Sequence, residues 1–390
     1  MSGSRANRLL SPNEAKFWLL DWAAPMNSIA VIERAEGASP VAVAPPRRFA
    51  LPVVCVGRQS RPRWGAATMP GMIERESMAS EWDWLAAAER LQGVRVGSAG
   101  HPPWHAVIQQ HTQGTTLVFA VNHALTDWRT CLHVARSFLA DADPGDLAPA
   151  CEELLPSNCF ADPAAASLLD GWWTSRAGAR WEALGLARLA QAFPPPAISR
   201  FAVEHLTLDV TARLARRCET EGVSLNSALA ITLRDVMPPL DSVAHSVDMH
   251  RFIRPPPAPG PGLAVAHVFT PLAAGAFWEA ARDNRAALFE AIRGGGAGDA
   301  LLQLPRVLLG RMPPREAAAM TITGAPTVGT RNGADANQDM ELVLSSARGG
   351  GGILILSRRR GALQLVAGAP AGGPEVPLPA IVERLAAAVA

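Results

Sequence analysis

Val121-Asn122-His123-Ala124-Leu125-Thr126-Asp127-Trp128 joins two kinds of hydrophobic pattern. Upstream, Leu117-Val118-Phe119-Ala120-Val121 is a short apolar run after a turn at Gly114, which predicts a strand over 115–122. Downstream, Trp128, Cys131, Leu132, Ala135, Phe138 and Leu139 recur at helical spacing. They predict a helix from Trp128 to Ala140 with one buried face, and Arg129 and Arg136 on the other. A strand that turns into a helix holds whatever lies at the turn on two rigid supports. Here that residue is His123, and Asp127 stands at the entrance to the helix.

Of nine histidines in the chain, His123 alone has such a setting. An imidazole with a reference pKa near ~6.5 is mostly neutral at cytoplasmic pH and can take a proton in general base catalysis. Asp127 is placed to cap the helix or to pair with an arginine, locking the loop that bears His123. Arg251 or Arg254, after an alternating strand predicted at 243–251, is the candidate partner, set against surface solvation as the default for either. Read by itself, H-x-x-x-D is a pattern that chance produces often. A partly buried histidine beside an ordinary N-cap aspartate would account for it, so the flanks must supply the rest.

Composition narrows the possibilities. A single hydrophobic core stops growing at ~250–300 residues, so a chain of 390 residues predicts two units. Hydrophobic residues at 48% and charged residues at 18% supply enough apolar material for buried cores. With 36 basic and 35 acidic residues, net charge is +1, which lacks the electrostatic footprint of a nucleic-acid binder. Lys16 is the only lysine and tyrosine is absent, a bias expected of GC-rich, bacterial coding. Cys55, Cys131, Cys151, Cys159 and Cys218 are widely spaced with no C-x-x-C pair, so reduced thiols are expected and no metal site. Neither a signal peptide nor a stretch of ~18 uncharged apolar residues is found, which predicts a cytoplasmic protein without a membrane span.

Along the chain, Ser11-Pro12-Asn13-Glu14 is a helix start, with Ser11 as cap and Glu14 completing a capping box. Strands are expected at 28–34, 50–56 and 104–110, and a helical region near 164–191. Phe193-Pro194-Pro195-Pro196 cannot continue a helix and is the expected boundary between units 1–193 and 197–390. The second unit should hold a strand at 201–208, a helix at 211–221 and a helix capped by Ser224. A proline-rich loop at 255–262, a helix near 273–293 and a break at 294–298 follow. Strands near 319–324, 340–346, 352–357 and 362–367 precede a closing helix at 378–389. Such interleaving without regular βαβ spacing predicts an α+β fold.

The flanks then bring a family into view. Pro102-Pro103-Trp104-His105-Ala106-Val107-Ile108, the turn at Gly114 and Leu117 to Asp127 together resemble the H-H-x-x-x-D-G region of the condensation-domain superfamily. That superfamily includes nonribosomal peptide condensation domains, polyketide-associated acyltransferases, wax ester synthase relatives and chloramphenicol acetyltransferase. Leu10 to Glu14 with Met26-Asn27 resembles its opening. Gly222-Val223-Ser224-Leu225-Asn226 resembles its second-domain helix start, and Ile353 to Ala367 its late β-hairpin. The likeness is strongest to polyketide-associated acyltransferases and wax ester synthase-type relatives.

This resemblance implies two chloramphenicol-acetyltransferase-like α/β-sandwich subdomains with a tunnel between them. It implies an acyl group passing from a thioester donor, acyl-coenzyme A or a phosphopantetheinyl acyl carrier protein, to a small hydroxyl or amine acceptor. No permanently bound cofactor is implied. His123 matches the catalytic histidine and Asp127 the family aspartate. Asn122 replaces the first histidine and Trp128 the glycine, and both are expected at the substrate, with Trp128 narrowing one tunnel entrance. Thr323, on Met320-Thr321-Ile322-Thr323-Gly324, is the candidate oxyanion donor from the second subdomain, although threonine also simply favours strands.

Arg47-Arg48, Arg58-Arg61-Arg63 and Arg358-Arg359-Arg360 are candidates for coenzyme A phosphates or the acidic face of a carrier protein, set against their default as solvated surface. Gly294-Gly295-Gly296 and Gly349 to Gly352 lack the lysine and spacing of a phosphate loop and read as turns. A monomer that completes its own site, serving specialised-metabolite biosynthesis, is expected. The alternative is an inactive condensation-like module that docks a carrier protein. A hydrolase ranks last, since neither a Gly-x-Ser-x-Gly elbow nor a cysteine near a histidine supplies a nucleophile.

Overall fold

The computed structural model describes residues 8–35, 49–55, 61–77, 83–111, 114–174, 199–309, 320–324, 340–345, 352–370 and 375–390. The expected boundary at 193–196 lies outside these residues, as does the predicted 164–191 helical region beyond Thr174. Its first part is the helix Ala165–Thr174.

The first half contributes β1 (Asn27–Ala35), β2 (Val53–Cys55), β3 (Arg63–Gly65), β4 (Met72–Ser77), β5 (Trp104–His111) and β6 (Gly114–Asn122). The second contributes β7 (Ser199–His205), β8 (Ser242–Asp248), β9 (Val265–Pro271), β10 (Met320–Thr323), β11 (Glu341–Ser345), β12 (Ile353–Arg359) and β13 (Ala362–Pro370). Two main sheets result. One has the order β11-β1-β6-β5-β4, the other β7-β13-β12-β10-β8-β9. The fold is α+β. One strand breaks the division into halves: β11 comes from the second half of the chain yet pairs antiparallel with β1 in the first sheet.

Local chemistry explains the elements. α1 (Pro12–Ala23) starts as expected: the Ser11 hydroxyl accepts from Glu14 N–H at 3.3 Å, and Glu14 Oε2 accepts from Ser11 N–H at 2.8 Å. β6 is buried at every position from Thr116 to Asn122, as a central strand covered on both faces should be. β9 alternates buried and half-buried positions, which suits an edge strand with one covered face. The β12–β13 hairpin turns on Arg360 and Gly361, with φ values of 50° and 83°. Positive φ at both central residues is what a two-residue primed turn needs, and glycine supplies one at no steric cost.

Strand and helix ends agree with the sequence reading to within a few residues, with three differences. Residues 249–252 form a 3₁₀ turn instead of finishing the 243–251 strand. Gly294 and Gly295 do break the chain, but Gly296–Leu301 then forms a helix. β3, β4, β9, α2 (Trp84–Gln92), the helix Gln303–Leu308 and the short helical turns Cys151–Leu154 and Ser157–Cys159 have no counterpart among the predicted elements.

Packing proceeds in layers. α1 and α3 (Trp128–Leu139) cover one face of the first sheet, where Trp104, Phe119, Phe138 and Phe49 pack edge to face or stacked at centroid distances of 5.2–6.0 Å. The other face meets the second sheet and α2 in a shared core that includes Ile29, Val31, Leu342, Ile355 and Val366. A further core lies between the second sheet and the helices Leu208–Thr220, Leu225–Val236 and Leu378–Ala388.

Charge pairing reinforces the junction. Arg359 of β12 donates from Nε and Nη2 to the two carboxylate oxygens of Glu33 in β1 at 2.9 and 3.0 Å, with both side chains under 10% exposed. Glu33→Ala would strip this bidentate acceptor from a buried guanidinium, which costs about 3–5 kcal/mol. Urea denaturation should show that loss, whereas Arg360→Ala, at a side chain 61% exposed, should shift the midpoint little.

Candidate active site

A cavity of about 630 Å³ is lined by residues of both halves of the chain, within the range of small-molecule sites. The first half supplies Ser28, His123, Asp127 and Trp128 to its wall. β8, β9, the end of β10 and the helix Phe277–Arg293 supply most of the rest.

His123 reaches this cavity because of how β6 ends. Leu125 N–H bonds back to the Asn122 carbonyl at 3.0 Å, making a tight turn, and His123 N–H donates to the Met26 carbonyl at 2.8 Å. The Phe17 ring packs against the imidazole with centroids 4.3 Å apart. Nδ1 lies 2.8 Å from the Thr126 carbonyl oxygen and 3.0 Å from Ser28 Oγ. A carbonyl can only accept, so the bond at 2.8 Å requires the proton on Nδ1 and leaves the basic lone pair on Nε2. The loop therefore selects the tautomer suited to proton abstraction through Nε2.

Asp127 works on the backbone. Its Oδ1 accepts from Thr130 N–H at 3.0 Å and so caps α3, while Oδ2 accepts from Ala264 N–H at 2.9 Å, just ahead of β9. Thr130 Oγ1 donates to the Gly262 carbonyl at 2.6 Å, and Thr126 forms a β-bridge with Gly262. The histidine loop is thus tied to the proline-rich segment of the other half.

Neither expected arginine pairs with Asp127. Arg251 Nε lies 3.7 Å from Asp248, and Arg254 donates to the Ile253 carbonyl at 2.9 Å. The basic side chain facing Asp127 is His250, whose Nδ1 is 3.6 Å from Asp127 Oδ2 and 3.0 Å from Asp248 Oδ1. The 3₁₀ turn at 249–252 sets the half-buried His250 beside Asp127 and leaves Arg251 at the exposed rim of the cavity. Burial disfavours the His250 imidazolium, but its hydrogen bond to Asp248 and the charges of Asp127 and Asp248 prevail, so it titrates above the ordinary histidine value.

No family model and no curated protein matches the sequence. Solved structures do. The first condensation domain of the calcium-dependent antibiotic synthetase, in complex with a substrate analogue, superposes with a TM-score of 0.62 at 13% identity, over 99% of this chain and 97% of that one. The chain has the condensation-domain fold. Polyketide synthase associated protein 5 from Mycobacterium tuberculosis is similar with a TM-score of 0.59 at 14% identity, over 100% of this chain and 99% of that one. The epimerization domain from the third module of tyrocidine synthetase B gives 0.57 at 13% identity, over 98% and 96%.

Within the condensation-domain fold the other expected site residues divide. Trp128, the first residue of α3, and Thr323, at the end of β10, both line the cavity. Asn122 does not. It is fully buried, its Nδ2 donates to the Val96 carbonyl at 3.1 Å and its Oδ1 accepts from Ala124 N–H at 2.9 Å. An amide bonded at both ends inside the protein secures the turn and offers nothing to a substrate. Gly97 leaves it room, since a Cβ there would stand 2.6 Å from Asn122 Cβ, on a backbone with φ of +73°.

The described members of the arginine clusters are also absent from the cavity wall. Arg359 is spent on Glu33, and Arg61 stacks on Trp172 and donates to its carbonyl. Arg47, Arg48 and Arg58 lie outside the described residues. Arg129, Arg251, Arg285 and Arg293 line the cavity instead. Burial pushes the Cys131 and Cys218 thiols well up, Cys218 to about 12, which makes both poor nucleophiles. Among the described residues no helix is long and apolar enough to cross a membrane.

Ser28, Asp248 and His250 were missed. Ser28 directly follows Met26-Asn27, and a polar residue heading an otherwise apolar strand was the available signal. Asp127→Ala should lower stability by about 2 to 4 kcal/mol, combining a lost helix cap with an orphaned Ala264 N–H; chemical denaturation with circular dichroism measures it. The raised His250 value means its contribution is complete below ~6.5 and fades as pH rises through the folded-state value. The melting difference between parent and His250→Gln should accordingly be larger at pH 6 than at pH 9.

Proposed function

We propose that this chain is an acyltransferase that moves an acyl group from a thioester to a hydroxyl or amine acceptor, with His123 as general base. The observation that carries this reading is the Nδ1–H bond to the Thr126 carbonyl, which fixes the basic nitrogen of a cavity-lining imidazole. Nε2 takes the proton of the acceptor as its oxygen or nitrogen attacks the thioester carbonyl carbon. The tetrahedral oxyanion collapses, the carbon–sulfur bond breaks, and the departing sulfur takes the proton from Nε2. Thr323 is the hydroxyl assigned to the oxyanion, and Asp127 keeps the loop in register. Arg129, Arg251, Arg285 and Arg293 give the cavity a cationic lining suited to the phosphates of coenzyme A or of a carrier-protein arm. The likeness to those structures supports a role in nonribosomal peptide or polyketide metabolism.

A second reading, a docking module without turnover, is favoured by one feature. Trp128 puts an indole on the same wall as His123, where steric bulk hinders approach.

Intact-protein mass spectrometry of acyl carrier proteins, and chromatography with acyl-coenzyme A donors, each with a pool of alcohols and amines, tests both. His123→Ala should lower transfer about 10²- to 10⁴-fold with unchanged melting. Unchanged product formation would exclude His123 as the base. Carrier-protein binding without transfer by the parent would establish the docking module.

A further inference from the structure

We infer that Ser28 is a positioning residue for His123, doing through a hydroxyl and a backbone carbonyl what a carboxylate does for other catalytic histidines. The inference rests on the general-base reading above and adds a residue to it.

Ser28 lies in β1, with Val121 of β6 opposite on one side and Ser345 of β11 on the other, so its Cα is fixed from both neighbouring strands. It is 1% exposed and still contributes to the cavity wall. Three polar atoms form a closed triangle there. Ser28 Oγ donates to the Thr126 carbonyl at 3.2 Å, His123 Nδ1–H donates to the same oxygen at 2.8 Å, and Nδ1 stands 3.0 Å from Ser28 Oγ. Since the hydroxyl proton points at the carbonyl, the Oγ lone pairs face Nδ1–H. The ring N–H therefore meets two acceptors, which constrains the ring plane as well as the tautomer.

The arrangement matters most once the ring is charged. When Nε2 has taken a proton, the positive charge strengthens Nδ1–H as a donor, and hydrogen bonds to charged groups are worth about twice neutral ones. Two oxygens at Nδ1 stabilise the imidazolium when it forms, and the Thr126 carbonyl is polarised by the Ser28 hydroxyl. Asp127 leaves this task open, because its oxygens are committed to Thr130 and Ala264.

The test compares Ser28→Ala, Ser28→Thr and the parent, with His123→Gln to assign the ring signals of protein labelled with [15N]histidine. In Ser28→Ala, kcat should fall about 10-fold with KM for both substrates within twofold of the parent. Both the acid limb of kcat and the His123 ring titration should move to lower pH, because an acceptor of the imidazolium proton has gone. Ser28→Thr, which keeps the hydroxyl, should restore kcat and both pH positions. A role in stability alone would lower the melting temperature and leave both pH positions in place, and that result overturns the inference. Should Ser28→Ala fail to fold, Ser28→Cys keeps the volume with a much weaker acceptor and must show the same displacement. If the parent turns over no substrate, the general-base reading fails by itself. The ring titration then decides: a shift in the variant supports the triangle, and no shift refutes it.

Discussion

One carboxylate ties together two backbones from opposite halves of the molecule. Oδ1 of Asp127 closes the first turn of α3, and Oδ2 takes the amide proton of Ala264 in the opposite half of the molecule. Both amides are buried, and a buried N–H without an acceptor costs about 1–3 kcal/mol. The interaction therefore fixes the distance between the turn that presents His123 and the strand whose residues Val265 and His267 form the facing wall. The bond from Thr130 to Gly262 repeats the tie one turn along. Without these contacts the imidazole would keep its tautomer, but the cavity would lose its defined width.

Two further devices join the halves, and they differ in kind. The shared apolar core between the sheets supplies free energy without direction. The ion pairs supply direction: Glu33 meets Arg359 across the junction, and Glu341 of β11 receives Arg34 from β1 and Arg136 from α3. Glu341 is held below the ordinary glutamate range because the hydrogen bonds and charges of these arginines outweigh its burial. Apolar strands tolerate slippage by two residues, and paired charges at the strand ends forbid it.

Most of the framework was legible from periodicity. β6 and α3 stand out because their apolar patterns change period at one turn, and Ser11 to Glu14 announces α1 by a capping box formed from neighbours in sequence. His123 and Asp127 could be placed because their contexts are local. What escaped depends on contacts between distant residues. β4 reads as polar because it is a half-exposed edge strand, and α2 is masked by charged residues around Trp84, Ala88 and Leu91. The partner of Asp127 looked like an arginine because charge alone suggested it. The 3₁₀ turn that sets His250 beside Asp127 leaves no mark in sequence. Asn122 looked like a substrate contact from its place beside His123, yet a strand sends consecutive side chains to opposite faces. That alternation already turned it away from the cavity.

The position of β11 also bears on biosynthesis. β1, with its run of apolar residues, can gain β6 on one side once residue 122 has left the ribosome. Its other edge is not covered until residue 345 leaves the ribosome, on the order of tens of seconds later at ordinary elongation rates. During that interval the nascent chain exposes an unpaired strand edge of the sort that recruits other chains. Truncated transcripts ending in the second half would leave that edge permanently open.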